Sequence, residues 1–264
     1  MKRFLLSSTA LLLALTTVAD ARTLIVGIPA NLSDTAHTHV DDVIGGIYDG
    51  LQPGDDLIVI DANHLNRVTE AAIPAQGFAS KKAKARALGP VFQKIYAFTS
   101  ADDRSAEADN LNIPPLLHEI GDNILPAVDG RRAQILLLGS LIWSSPQDAS
   151  FTFRDGIPSD GILTGSSGPF SIQGRSGALT GALVSVCYTD PPSAFQADDF
   201  KTLAQTFWGK MISGQGGKVG AMEPVSSDCA GRLFSPEASV QSYRIDPNDT
   251  AALITIHWQT VPVR

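Results

Sequence analysis

Tyr48-Asp-Gly-Leu-Gln-Pro-Gly-Asp-Asp-Leu-Ile-Val-Ile60 passes from helix through turn to buried strand, and the rest of the chain repeats that passage. Ahead of it, Val40, Val43, Ile44, Ile47, Tyr48 and Leu51 recur at three and four, the stripe of a helix packed on a sheet. Ser33, Asp34 or Thr35 can cap this helix, and Gln52-Pro53-Gly54 stops it. Leu57–Asp61 (LIVID) then reads as a strand buried on both faces, as does Thr23–Ile28 (TLIVGI) before the helix.

Further along, Arg67 to Ile73 suits a short edge strand ended by Pro74. Lys81 to Ile95 predicts a helix that Pro90 breaks or kinks, with Lys81, Lys82, Lys84 and Arg86 on a solvated face. Residues 102–112 read as an acidic surface loop. Asn112 can cap a following helix with Leu117, Ile120, Ile124 and Leu125 on one face. Gln134–Leu138 (QILLL) and Ala182–Tyr188 (ALVSVCY) are further buried strands, Lys218–Glu223 another candidate, and Ala252–Trp258 (ALITIHW) a final one. Between them, Phe200, Leu203, Ala204, Phe207, Trp208, Met211 and Ile212 mark a core helix closed by Gly214. Residues 144–181 are rich in Gly, Ser and Pro, an irregular insertion with a small hairpin near Phe151-Thr-Phe153. Strands alternating with helices predict an α/β fold, doubly wound, with a mostly parallel sheet and helices on both faces.

The first residues concern location. Met1-Lys2-Arg3 is basic, Phe4 to Val18 is dominated by Leu and Ala, and Ala19-Asp20-Ala21 is a small-x-small cleavage signature. Ser7, Ser8, Thr9, Thr16 and Thr17 weaken the alternative, a membrane anchor, which needs roughly 18–20 apolar residues. The chain therefore divides into a signal peptide, 1–21, and a single domain, 22–264, with an extension over about 224–264. The expected location is periplasmic or secreted, with no integral membrane segment after cleavage. At 44% hydrophobic and 18% charged the domain can fill a core. The formal charge of −7 becomes about −8 without the leader, which argues against nucleic acid, whose phosphates need a cationic face. Cys187 and Cys229, an even pair in an exported chain, are expected to form a disulfide.

The order of elements resembles that of a von Willebrand factor A (VWA) domain, most closely in Tyr48–Ile60, then in the edge strand ending at Ile73-Pro74, in Ile135-Leu-Leu-Leu138, in ALVSVCY and in the Phe200 helix. The likeness covers about Thr23 to Glu223. The resemblance implies a site at the carboxyl end of the sheet, where many members hold Mg²⁺ through Asp-x-Ser-x-Ser after the first strand, a Thr from a middle loop and an Asp after the fourth strand. Here Gly27-Ile-Pro-Ala-Asn-Leu-Ser-Asp34 lacks the first Asp, leaving Asn31 and Ser33. Asn112-Ile113-Pro114 has no Thr in register, and Gly139-Ser140 stands where the family has its last Asp. The expectation is a VWA-like domain with no metal and no cofactor, acting by binding another exported or envelope protein.

Ligands of open α/β sheets gather at the carboxyl ends of the strands, which makes Asn31, Ser33, Asp34, Ser140 and Trp143 the candidate contacts. Trp143 has two readings, interface anchor or core packing. His37 and His39, two apart, diverge on a helix and suit a solvated first turn with Asp34, Asp41 and Asp42. The alternative function is a periplasmic hydrolase using a Ser or Asp of the same rim. No Gly-x-Ser-x-Gly elbow is present, and neither His118 nor His257 has a partner visible in the sequence. Convergence of His, Ser and Asp in space would favour this enzyme.

Overall fold

The computed structural model describes residues 21–100, 109–128, 133–144, 153, 156–195, 199–234, 240–249 and, by backbone alone, 253–255. Six strands form the main sheet: β1 (Thr23–Ile28), β2 (Asp56–Asp61), β3 (Arg67–Ala72), β4 (Ala133–Gly139), β6 (Leu183–Tyr188) and β7 (Lys218–Pro224), in the order β3-β2-β1-β4-β6-β7. All neighbours pair in parallel except β2 and β3, which are antiparallel. A separate antiparallel pair joins β5 (Gly156–Pro158) to β8 (Leu253–Thr255).

The apolar strand runs have two faces to fill. Leu24, Val26 and Ile28 point to one side of β1, where they meet α1 (Asp34–Gly50) and α2 (Lys81–Thr99). Ile25 belongs to the opposite layer with α3 (Ile113–Glu119) and α5 (Phe200–Gly214). Alternation along a strand explains the division: successive side chains leave on opposite faces, and both faces are covered. Ser33 is the N-cap of α1, its hydroxyl accepting from the Ala36 amide at 3.4 Å. On α2, Lys84 Nζ lies 4.8 Å from the centre of the Tyr48 ring. Among the described residues no helix is long and apolar enough to cross a membrane.

Cys187 at the end of β6 is bonded to Cys229, with 6.3 Å between their Cα atoms. Cys229 lies in a 3-10 helix, Ser227–Leu233, that packs on α1. The bond therefore fastens that short helix to the sheet beneath it.

Several expectations are corrected. Helix α2 runs through Pro90 to Thr99. Asn112 precedes α3 without a side-chain capping bond; its Oδ1 accepts from Trp143 Nε1 at 3.3 Å. Asn110, Leu111 and Asn112 are buried, so the end of the 102–112 segment is core-facing instead of surface loop. Residues 101–108 lie outside the described residues, as do 1–20, Phe151, Thr152 and His257. The described strand of the 144–181 insertion, β5, pairs with the distant β8 and not with a neighbour in sequence. Short helix α4 (Asp160–Thr164) follows β5, and its buried Asp160 takes Lys210 Nζ on both oxygens at 2.7 Å and the Asp246 amide at 2.6 Å.

Candidate functional site

The strand order reverses between β1 and β4, so the loops leaving these two strands diverge and open a crevice at the carboxyl end of the sheet. In this chain its own residues 109–112 occupy that place. The Asp109 amide donates to Asn31 O at 2.8 Å, and Asp109 O accepts from the Ser140 amide at 2.6 Å. Asn110 makes a parallel bridge with Ser140. The approach is possible because residue 139 is glycine. At its φ of +153°, a Cβ would meet Leu111 Cγ at 2.6 Å and Asp109 O at 2.7 Å.

Two carboxylates tie the rim together. Asp109, itself at a φ of +67°, accepts the Ser33 amide at 2.9 Å and the Ser33 hydroxyl at 2.6 Å. Asp190, just past β6, accepts the Ser140 hydroxyl at 2.5 Å and the Leu141 amide at 2.7 Å. Burial pushes the Asp190 carboxyl above its ordinary value; the bonds from Ser140 and Leu141 oppose this, and the charge of Asp109 adds to it. Neither carboxylate was a candidate from sequence, although Asp190 lies in the loop after β6, at the carboxyl end of the sheet to which the rim argument points.

The candidates thus separate. Ser33 and Ser140 face inward onto Asp109 and Asp190. Asp34 and the adjoining Thr35 are exposed, and Asn31 is half-buried. Trp143 is 1% exposed, which decides between its two readings: it stacks edge-on to Phe170 at 4.8 Å in the core and is corrected as a contact residue.

Near the start of α1 a different set converges. His37 Nε2 is 3.2 Å from the Ser100 hydroxyl at the C-terminus of α2, and His37 Nδ1 is 3.2 Å from Asp41 Oδ2. His37 and Asp41 share one helix face at a spacing of four, while His39 stays exposed. Burial raises the Asp41 pKa, His37 opposes that shift, and Asp42 adds to it.

Metal binding at the rim has to be judged by the donor set. Both oxygens of Asp109 and both of Asp190 already accept protein hydrogens. Asn110 Oδ1 and Thr189 Oγ1 are buried without a partner among the described residues, but they are neutral. Asp109, Asn110, Thr189 and Asp190 do not stand at the sequence positions of the family's Asp-x-Ser-x-Ser, Thr and Asp. Elsewhere, the one three-residue cluster of possible ligands among the described residues is Cys187, Glu223 and Cys229, whose sulfurs are bonded to each other and offer no thiolate.

A mostly parallel sheet covered by helices on both faces, with β3 as a short edge strand, is the arrangement that the resemblance implied. The architecture is VWA-like. No family model matches the chain, and no curated protein matches it. Among solved structures it is similar to a von Willebrand factor type A protein from Catenulispora acidiphila, at 14% identity and a TM-score of 0.43. The match covers 81% of this chain and 41% of that one, so this VWA-like chain spans less than half of the protein it matches.

Proposed function

We propose that this VWA-like chain is an exported protein-interaction domain without a metal site, which binds another exported or envelope protein through the carboxyl rim of its sheet. One observation carries the reading: the switch-point crevice, where open α/β folds take small ligands, is filled by the chain's own Asp109–Asn112. Binding then falls to the outer surface of the rim. Asp109 and Asp190 hold its loops in place before a partner arrives, which lowers the ordering entropy lost on association. Asn31 and Asp34, with Thr35 and the exposed Pro191, Pro192 and Ser193, make up the contact face. Ser33 and Ser140 act beneath it as fasteners.

Export is supported by the leader pattern and by the disulfide, a bond that persists in oxidising compartments. A photoreactive residue placed at Thr35 or Ser193 in the native host should give a discrete crosslinked species, while placement at the exposed Lys82 should not. Equal crosslinking from both faces, or none from the rim, would overturn the reading.

One observation favours a second reading, a hydrolase. Ser100, His37 and Asp41 stand in the order nucleophile, base and orienting carboxylate, with the correct ring nitrogens facing each partner. Treatment with a fluorophosphonate separates the two. The binding reading expects an unlabelled protein; an adduct on Ser100 that disappears in His37→Gln would establish the hydrolase.

A further inference from the structure

We propose that removal of the leader between Ala21 and Arg22 completes an ion pair, by placing a new α-ammonium in a carboxylate socket already built at Asp55. The proposal rests on the export reading for the cleavage itself, while the socket stands on geometry.

Asp55 sits in the turn between α1 and β2 with its side chain 1% exposed. Its carboxylate gathers one residue from several directions. Arg22 Nη2 donates to Oδ2 at 2.7 Å and Arg22 Nε to Oδ1 at 3.1 Å. The Arg22 backbone nitrogen also donates to Oδ1, at 3.2 Å. The socket is fixed from behind by the Gln52 amide on Oδ2 at 2.8 Å, within a turn whose Gly54 has a φ of +87°. In front, Arg22 Nη1 donates to Phe234 O at 3.3 Å, and the guanidinium lies 5.1 Å from the centre of the Phe234 ring. The Asp56 amide donates to Arg22 O at 2.8 Å, so Arg22 is held by its nitrogen, its oxygen and its side chain.

The charges around Asp55 point the same way. The Asp56 carboxyl is raised by burial and then by the charge of Asp55, so the two anions feel each other. Among the described residues, the ion pair of Asp55 is with the Arg22 guanidinium. Cleavage supplies a second cation at the nitrogen nearest the buried carboxylate. In that step, catalysed by a leader peptidase, water adds across the Ala21–Arg22 amide: the C–N bond breaks, Ala21 departs as a carboxylate, and the Arg22 nitrogen leaves as an ammonium. A charged donor to a buried carboxylate is shorter and stronger than the neutral amide that it replaces. An uncleaved chain keeps the amide, and a terminus one residue longer carries its ammonium past the socket.

The test compares two purified forms of the domain, one beginning at Arg22 and one retaining Ala21. The Arg22 form should melt higher by about 2–8 °C, the shift that about 1–2 kcal/mol gives in a chain of this size. Its terminal amine should also react with a succinimidyl ester at least tenfold more slowly in the folded state than in urea. The Ala21 form should show no such protection. Equal melting temperatures together with an unprotected Arg22 amine would overturn the socket. Asp55→Asn should expose the amine; if that variant does not fold, the two termini alone decide. Intact mass of the exported protein reads the cleavage separately: a mature terminus other than Arg22 removes the export step and leaves the socket result standing.

Discussion

His118 on α3 is a base whose surroundings favour its neutral form. Burial lowers its pKa, the Arg175 guanidinium lowers it further, and Asp122 pulls weakly the other way. The unfolded chain takes up a proton near the ordinary value of about 6.5, before the folded one does. The contribution of neutral His118 is therefore intact above that value and is lost as pH falls below it toward the folded pKa. Asp41, Asp56 and Asp190, all raised, act in the opposite sense, and a comparison with His118→Gln cancels them. The urea midpoint should drop between about pH 7 and 5.5, and drop less in His118→Gln; parallel curves would acquit His118. At the rim, titration calorimetry with Mg²⁺ or Mn²⁺ at millimolar concentration should be flat. A saturable isotherm abolished by Asp109→Ala would show a metal site after all. Asp109 and Asp190 are the residues least legible in the sequence. Each reaches the rim through long-range bonds, with Asp109 at a left-handed φ, and neither circumstance leaves a periodic or spacing signal. Ser33 was legible because N-capping is local.

The helix α5 carries its own prediction. Phe207 is 2% exposed and meets Phe153 at 5.4 Å, Phe170 at 5.2 Å and Trp208 at 5.2 Å between ring centres. Trp208 Nε1 donates to Leu141 O at 3.0 Å, which couples this aromatic layer to the base of the rim. Phe207→Ala should lower stability by about 3–5 kcal/mol through lost burial and a residual cavity, read as a lower urea midpoint. An unchanged midpoint would mean that the stripe is not core. Elements of this kind were readable because a helix stripe and a doubly buried strand each imprint a short period on the chain. The pairing of β5 with β8 was not, since two three-residue strands far apart in sequence give no period and no shared turn. Pro90 does not break α2 for a related reason: its local penalty is outweighed by the packing of Leu88, Phe92 and Ile95 on either side of it.

For the molecule as a whole, the disulfide is the largest single restraint on the unfolded chain. Cys187 and Cys229 are 42 residues apart, and closing a loop of that length contributes about 4 kcal/mol on the chain-entropy model. Reduction, or Cys229→Ser, should lower the unfolding midpoint accordingly; no change would mean that the packing of the 3-10 helix on α1 suffices alone. That bond was foreseeable from an even pair of cysteines behind a leader-like pattern, whereas the filling of the switch point by residues 109–112 depends on how three loops meet.

The clamp around Asp160 bears on how such a chain is finished. Its lysine lies 50 residues downstream and its backbone donor 86 residues downstream. A chain made from its amino end has the aromatic face of α5 in hand well before residue 246 is added. Until then the Asp160 carboxylate holds Lys210 but lacks the Asp246 amide, and β5 lacks its partner β8. A chain interrupted upstream of that point keeps the ion pair but leaves one backbone bond to the buried carboxylate unmade and β5 without β8. Residue 246 thus closes, late along the chain, a clamp that a single carboxylate organises.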